Sequence, residues 1–121
     1  MAVVRYLVDD VDTALAFYTG HLGFTLTQRM GPPFAAIARG DLTVWLSGPA
    51  TSAARPMPDG RQPAPGGWNR LVIEVEDLPG LVTQMKQNGV RFRNDIVTGP
   101  GGQQILAEDP AGNPVELFQA R

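Results

Sequence analysis

Two stretches of the chain repeat one order of apolar and polar positions. Residues 3–8 (VVRYLV) and 71–75 (LVIEV) are mostly β-branched or aliphatic, as in strands covered on at least one face. Each leads to an aspartate, Asp10 or Asp77, whose carboxylate suits a helix start because it can accept a bond from an orphan amide and complements the helix dipole. After Asp10, Val11, Ala14, Leu15, Tyr18 and Leu22 recur at helical spacing. After Asp77, Leu78, Leu81, Val82 and Met85 do the same, so each helix has one apolar stripe to lay on a sheet. Gly23 and Gly89 are placed to end the helices in a left-handed turn.

Beyond the first helix, residues 24–30, 33–39 and 42–47 read as three short strands parted by Gly31-Pro32 and Gly40-Asp41. Beyond the second, residues 90–97, 103–107 and 114–119 repeat the pattern, parted by the run 99–102 (GPGG) and by 109–113 (DPAGN). The GPGG run lacks the Lys-Ser/Thr pair of a phosphate-binding loop and reads as a plain turn. The expected fold class is therefore α+β. Two tandem βαβββ modules, residues 1–47 and 68–121, make up one domain, with a curved mixed sheet and a cleft expected at their seam. A Pro-, Gly- and Ala-rich loop over residues 48–67 joins them, either as a passive connector or as a lid or binding loop.

Composition narrows the function classes. The 121 residues suffice for one core without staples, and with no cysteine there is neither a disulfide nor thiolate chemistry. No run approaches the roughly 20 apolar residues of a membrane span, and the N-terminus lacks a signal-peptide layout, so no membrane role and a cytoplasmic location are expected. Net charge is −2, and the ten basic residues are scattered, which argues against a nucleic-acid partner. All of them but Lys86 are arginine. That bias reflects either codon usage or the use of some guanidiniums as planar, always-charged binding groups.

The βαβββ order, together with Asp10-Val11-Asp12, Phe17-Tyr18, Leu22-Gly23-Phe24 and the closing run 109–118 (DPAGNPVELF), resembles the vicinal oxygen chelate superfamily. That family includes glyoxalase I, extradiol dioxygenases, fosfomycin-modifying enzymes and bleomycin-resistance proteins. The resemblance covers nearly the whole chain and implies the glyoxalase fold. It also implies that a divalent metal, where the family uses one, is held from positions that here read Val3, Trp45, Arg70 and Glu116. Of these only Glu116 can bind a metal: valine has no donor atom, the indole N–H offers no lone pair, and a guanidinium repels a cation. His21, the only histidine, falls at the end of the first helix, where an imidazole near the last carbonyls is an ordinary surface feature. No metal and no cofactor are expected.

Strand alternation puts Arg5 with Val3, Ser47 with Trp45, and Val72 with Arg70 on the cleft wall, while Tyr6, Val8, Val44 and Leu46 turn to the helix-covered side. Arg70 and Glu116 are expected to pair. The pair either fills a vestigial metal site or leaves Arg70 able to meet a polar group of a ligand while Trp45 stacks on its flat part. Trp68 either adds an aromatic wall or caps the sheet, and Phe34 either lines the cleft or packs in the core. The candidate ligand-binding set is thus Arg5, Phe34, Trp45, Trp68, Arg70 and Glu116, with no catalytic residue.

Two function classes follow. The resemblance to bleomycin-resistance proteins implies a metal-independent homodimer that sequesters an aromatic or amphipathic small molecule such as an antibiotic. The alternative is an enzyme of the same fold, a lyase, isomerase or dioxygenase-like protein, with Glu116 as general base and Arg70 stabilising negative charge. An arginine neighbour makes a carboxylate a poorer base near neutral pH, so the sequence leans against catalysis.

Overall fold

The computed structural model describes residues 2–121. The chain divides into two compact units, one ending at Gly66 and the other spanning Gly67–Arg121.

The first unit runs β1 (Val3–Leu7), α1 (Val11–His21), β2 (Thr25–Met30), β3 (Phe34–Arg39) and β4 (Leu42–Ser47). Its open four-stranded sheet has the order β1-β4-β3-β2, with β1 parallel to β4 and the other pairs antiparallel. Asp10 caps α1 by accepting from the Asp12 amide at 3.1 Å, and the helix ends ahead of Gly23 at φ 71°. The apolar stripe lands on the sheet with one adjustment: Phe17 is buried with Val11, Ala14 and Tyr18, whereas Leu15 is only half-buried. Tyr18 is fully buried, and its ring meets the edges or faces of Phe17 at 5.0 Å, Phe24 at 5.5 Å and Tyr6 at 6.5 Å. Such edge-to-face pairs add about 0.5–1.5 kcal/mol each beyond the area they bury, so this cluster anchors the helix.

The second unit repeats the order with β5 (Leu71–Glu74), α2 (Leu78–Gln87), β6 (Val97–Gly99), β7 (Gly102–Glu108) and β8 (Pro114–Ala120). Its open sheet is ordered β5-β8-β7-β6, with β5 parallel to β8. Asp77 caps α2 through the Gly80 amide at 3.1 Å, and Pro79 occupies the first turn, where a missing N–H costs nothing. Gln119 Oε1 accepts from the Leu78 amide at 2.7 Å, fastening the helix start to β8. The GPGG run is indeed a turn, with Gly99 and Gly102 paired across it. A side chain at Gly102, φ 149°, would drive its Cβ into the Gln119 carbonyl, so only glycine fits there.

One strand differs from expectation. Residues 90–96 do not form a continuous strand with 97. Phe92 makes an isolated bridge to Ala107, flanked by Arg93 N–H to Leu106 O and Glu108 N–H to Arg91 O, both at 2.9 Å. The next ladder position is then taken by a side chain: Asn94 Oδ1 accepts from the Leu106 amide at 2.9 Å. The asparagine amide replaces the backbone carbonyl a strand would have offered, and the main chain leaves the sheet until Val97.

The Pro-rich stretch up to Gly66 lies within the first unit. It contains a single 3₁₀ turn, Ser52–Ala54, and is tied to itself by Gln62 Nε2 donating to Ala54 O and Met57 N–H to Arg61 O, both at 2.8 Å. With the ends of β1 and β4 it encloses a hollow of about 220 Å³, lined by Leu7, Ser47, Pro49 and the 62–65 segment.

Candidate functional site

Each sheet has one face under its helix and one face away from it, and the alternation expected from the sequence decides which residue goes where. In the first unit Tyr6, Val8, Val44 and Leu46 are buried, while Arg5 and Trp45 are exposed on the other side. In the second, Leu71 and Ile73 are buried and Val72 is 52% exposed.

On the first sheet Arg5 and Trp45 are register partners across the parallel β1–β4 pair. The Arg5 guanidinium lies over the indole, 5.1 Å from the ring centroid, and its Nη1 donates to Ser47 Oγ at 3.0 Å. Ser47 is fully buried, so its hydroxyl is a fixed point. Phe34, half-buried, sets its ring edge-on to Trp45 at 5.8 Å and 70°. Ala36, the partner of Trp45 on β3, brings only a methyl to the same face. Arg5, Phe34 and Trp45 are therefore brought together, with Trp45 36% exposed.

On the second sheet Glu116 is the partner of Val72, and Arg70 lies two residues before Val72, just ahead of β5. Arg70 Nε and Nη2 both donate to Glu116 Oε1, at 3.1 and 3.0 Å, and Nη1 reaches the Trp68 carbonyl at 3.3 Å. The expected pair is present. Trp68 is 69% exposed, and a guanidinium also lies over its ring: that of Arg93, 4.6 Å from the centroid. Arg93 donates further to Glu108 Oε2 at 2.9 Å, Gly67 O at 2.6 Å and Gly112 O at 2.9 Å.

Sequence reasoning missed Arg93. It sits in the stretch misread as a strand, and its partners lie 15, 19 and 26 residues away. The Gly112 carbonyl is presented by the DPAGN turn, which the buried Asp109 holds by accepting from the Ala111 and Asn113 amides at 2.9 Å and from Asn113 Nδ2 at 3.0 Å. The lone histidine, His21, rests its ring against Phe17 at 5.6 Å at the end of α1.

The chain belongs to the Glyoxalase/Bleomycin resistance protein/Dioxygenase superfamily, whose model matches residues 1–117. Among similar solved structures is a superfamily member from Sphaerobacter thermophilus, 25% identical, covering 98% of this chain and 95% of that one, with a TM-score of 0.77. An antibiotic binding protein from Streptomyces sp. is 22% identical over 98% of this chain and 93% of its own, TM-score 0.72. A lactoylglutathione lyase from Agrobacterium tumefaciens is 20% identical over 98% and 92%, TM-score 0.73. No curated protein matches the chain significantly. Among the described residues no helix is long and apolar enough to cross a membrane.

At the positions where the family resemblance places a divalent metal, the residues present do not fit one. Val3, Trp45 and Arg70 supply no donor, and the one carboxylate, Glu116, has an oxygen held by two N–H groups of a guanidinium. Among the described residues no group of three or more His, Cys, Asp or Glu stands where it could hold a metal ion. What the two faces offer instead is indole and phenyl surface beside fixed cationic hydrogen-bond donors, the mixture by which proteins hold small organic molecules.

Proposed function

We propose that this protein is a metal-independent binder of the superfamily, sequestering an aromatic or amphipathic small molecule, of the kind represented by antibiotics, and leaving it chemically unchanged. The observation that carries the reading is the Arg70–Glu116 pair: at the one family ligand position that keeps a carboxylate, a guanidinium supplies the positive charge. The exposed Trp45, braced by Phe34 and Arg5, supplies stacking surface, and Trp68 does so in the second unit, ahead of β5. The similarly folded antibiotic binding protein is a precedent for such use of the architecture. We also infer a homodimer, because aliphatic and thioether side chains such as Leu26, 43% exposed, and Met30, 59% exposed, stand on β2, an edge strand of the first sheet. A cytosolic location accords with the cysteine-free composition.

Calorimetric titration with Zn²⁺ and Mn²⁺ tests the metal-independent part. Weak, non-stoichiometric heats are expected, and tight one-to-one uptake of either ion would overturn it. Tryptophan emission titrated with a panel of planar aromatic antibiotics tests the binding part: quenching is expected that Trp45→Ala abolishes. Sedimentation velocity should give twice the monomer mass.

A further inference from the structure

The arginines of the two units are not in the same state. Arg29, Arg70 and Arg93 are each ion-paired, to Asp12, Glu116 and Glu108. Arg5 is not: among the described residues no carboxylate pairs with it, and the one hydrogen bond of its side chain joins Nη1 to the Ser47 hydroxyl. A guanidinium has five N–H donors in a planar fork, so Arg5 keeps enough of them to meet a carboxylate through two parallel bonds. Two contacts hold it in place, the indole of Trp45 at 5.1 Å and a hydroxyl on a fully buried serine. A long, flexible side chain held in this way has already lost much of the freedom that binding would otherwise take from it.

We propose that Arg5 and Trp45 form a subsite for a planar aromatic anion, a ring bearing a carboxylate or similar acidic group, with Ser47 as the positioning residue that aims the guanidinium. This rests on the small-molecule binding reading above and adds the ligand's charge. The ring lies against Trp45 and Phe34, and the acidic group takes the remaining Arg5 donors. Cationic aromatics are disfavoured, because the Arg5 charge has no counter-charge of its own beside the indole.

The test compares three probes of one shape: 2-naphthoate, 2-naphthamide and 2-naphthylmethylammonium. Each is titrated into the ¹⁵N-labelled full chain while the Trp45 indole N–H and the Arg5 Nε–H are followed by NMR, with Trp68→Phe assigning the two indoles. Naphthoate should bind about tenfold more tightly than the amide, with the ammonium weakest, and added salt should narrow the gap. Arg5→Met should bring naphthoate to the affinity of the amide while shifting the amide's own affinity by no more than about twofold, the difference between a lost ion contact and retained stacking. Ser47→Ala should reduce the naphthoate-to-amide ratio without changing the circular dichroism spectrum, a readout that a purely structural role would not move. Equal binding of acid and amide by the native chain sinks the anion subsite while leaving the binder reading standing. Naphthoate binding that leaves Trp45 and Arg5 unshifted overturns the placement. Silence from all three probes at low millimolar concentration overturns the subsite, while the binder reading stands or falls on the antibiotic titration above.

Discussion

In the first unit a guanidinium lies 5.1 Å from an indole centroid, bonded to one serine hydroxyl; in the second another lies 4.6 Å from an indole centroid, bonded to a carboxylate and two carbonyls. The duplicated modules thus carry the same pair of side-chain types in different settings. Arg93 ties together Gly67, where the second unit begins, the Gly112 turn and Glu108, so its charge is consumed by architecture. Arg5 crosses one strand pair and ties nothing together. The lesson is that a cation beside an aromatic ring is a binding feature or a brace according to what else fills its donors, and residue type alone does not distinguish the two.

The comparison breaks most visibly at Arg93. Arg93→Ala strands a partly buried carboxylate and two carbonyls, and a loss of about 3 kcal/mol is expected in urea denaturation of the full chain. Arg93→Lys should recover only part of it, because an ammonium cannot reproduce the fork. A loss below about 0.5 kcal/mol for the alanine variant would mean the brace is ornamental. An intermediate effect is expected at Glu116, whose partner Arg70 has a side chain 31% exposed and able to turn to water. Glu116→Gln should cost about 1 kcal/mol, and the double variant Arg70→Met/Glu116→Leu should be near neutral, since an apolar pair of similar volume replaces a charge pair at little net cost. A double variant much less stable than either single one would contradict that assignment. The smallest effect should come from Arg5→Met, within about 0.5 kcal/mol in the same assay, because the exposed guanidinium supports no distant segment. A cost approaching that of Arg93→Ala would erase the contrast and make Arg5 a second brace.

Much of the fold was legible because its signals are local. The caps at Asp10 and Asp77 and the turns at Gly23 and Gly89 each depend on a few neighbouring residues, and all four are where the pattern put them. Strand parity was equally readable, since side chains alternate whatever the register, so Trp45 and Val44 had to part. The pairing of Arg70 with Glu116 came from family resemblance, which supplied a proximity that 46 intervening positions conceal. The reading failed at residues 90–96, where apolar and β-branched residues suggested a strand and one Asn94 amide, bonding to β7 in place of the backbone, ended it.

By its own pattern the sequence determined the repeated βαβββ order, the helix limits and which positions of β1, β4 and β5 turn inward. These follow from spacing and side-chain chemistry within a few residues. Tertiary structure alone decided which arginine is neutralised, because an ion pair forms wherever the fold brings a carboxylate near. Glu108 was brought to Arg93 and Glu116 to Arg70, while only a serine was brought to Arg5.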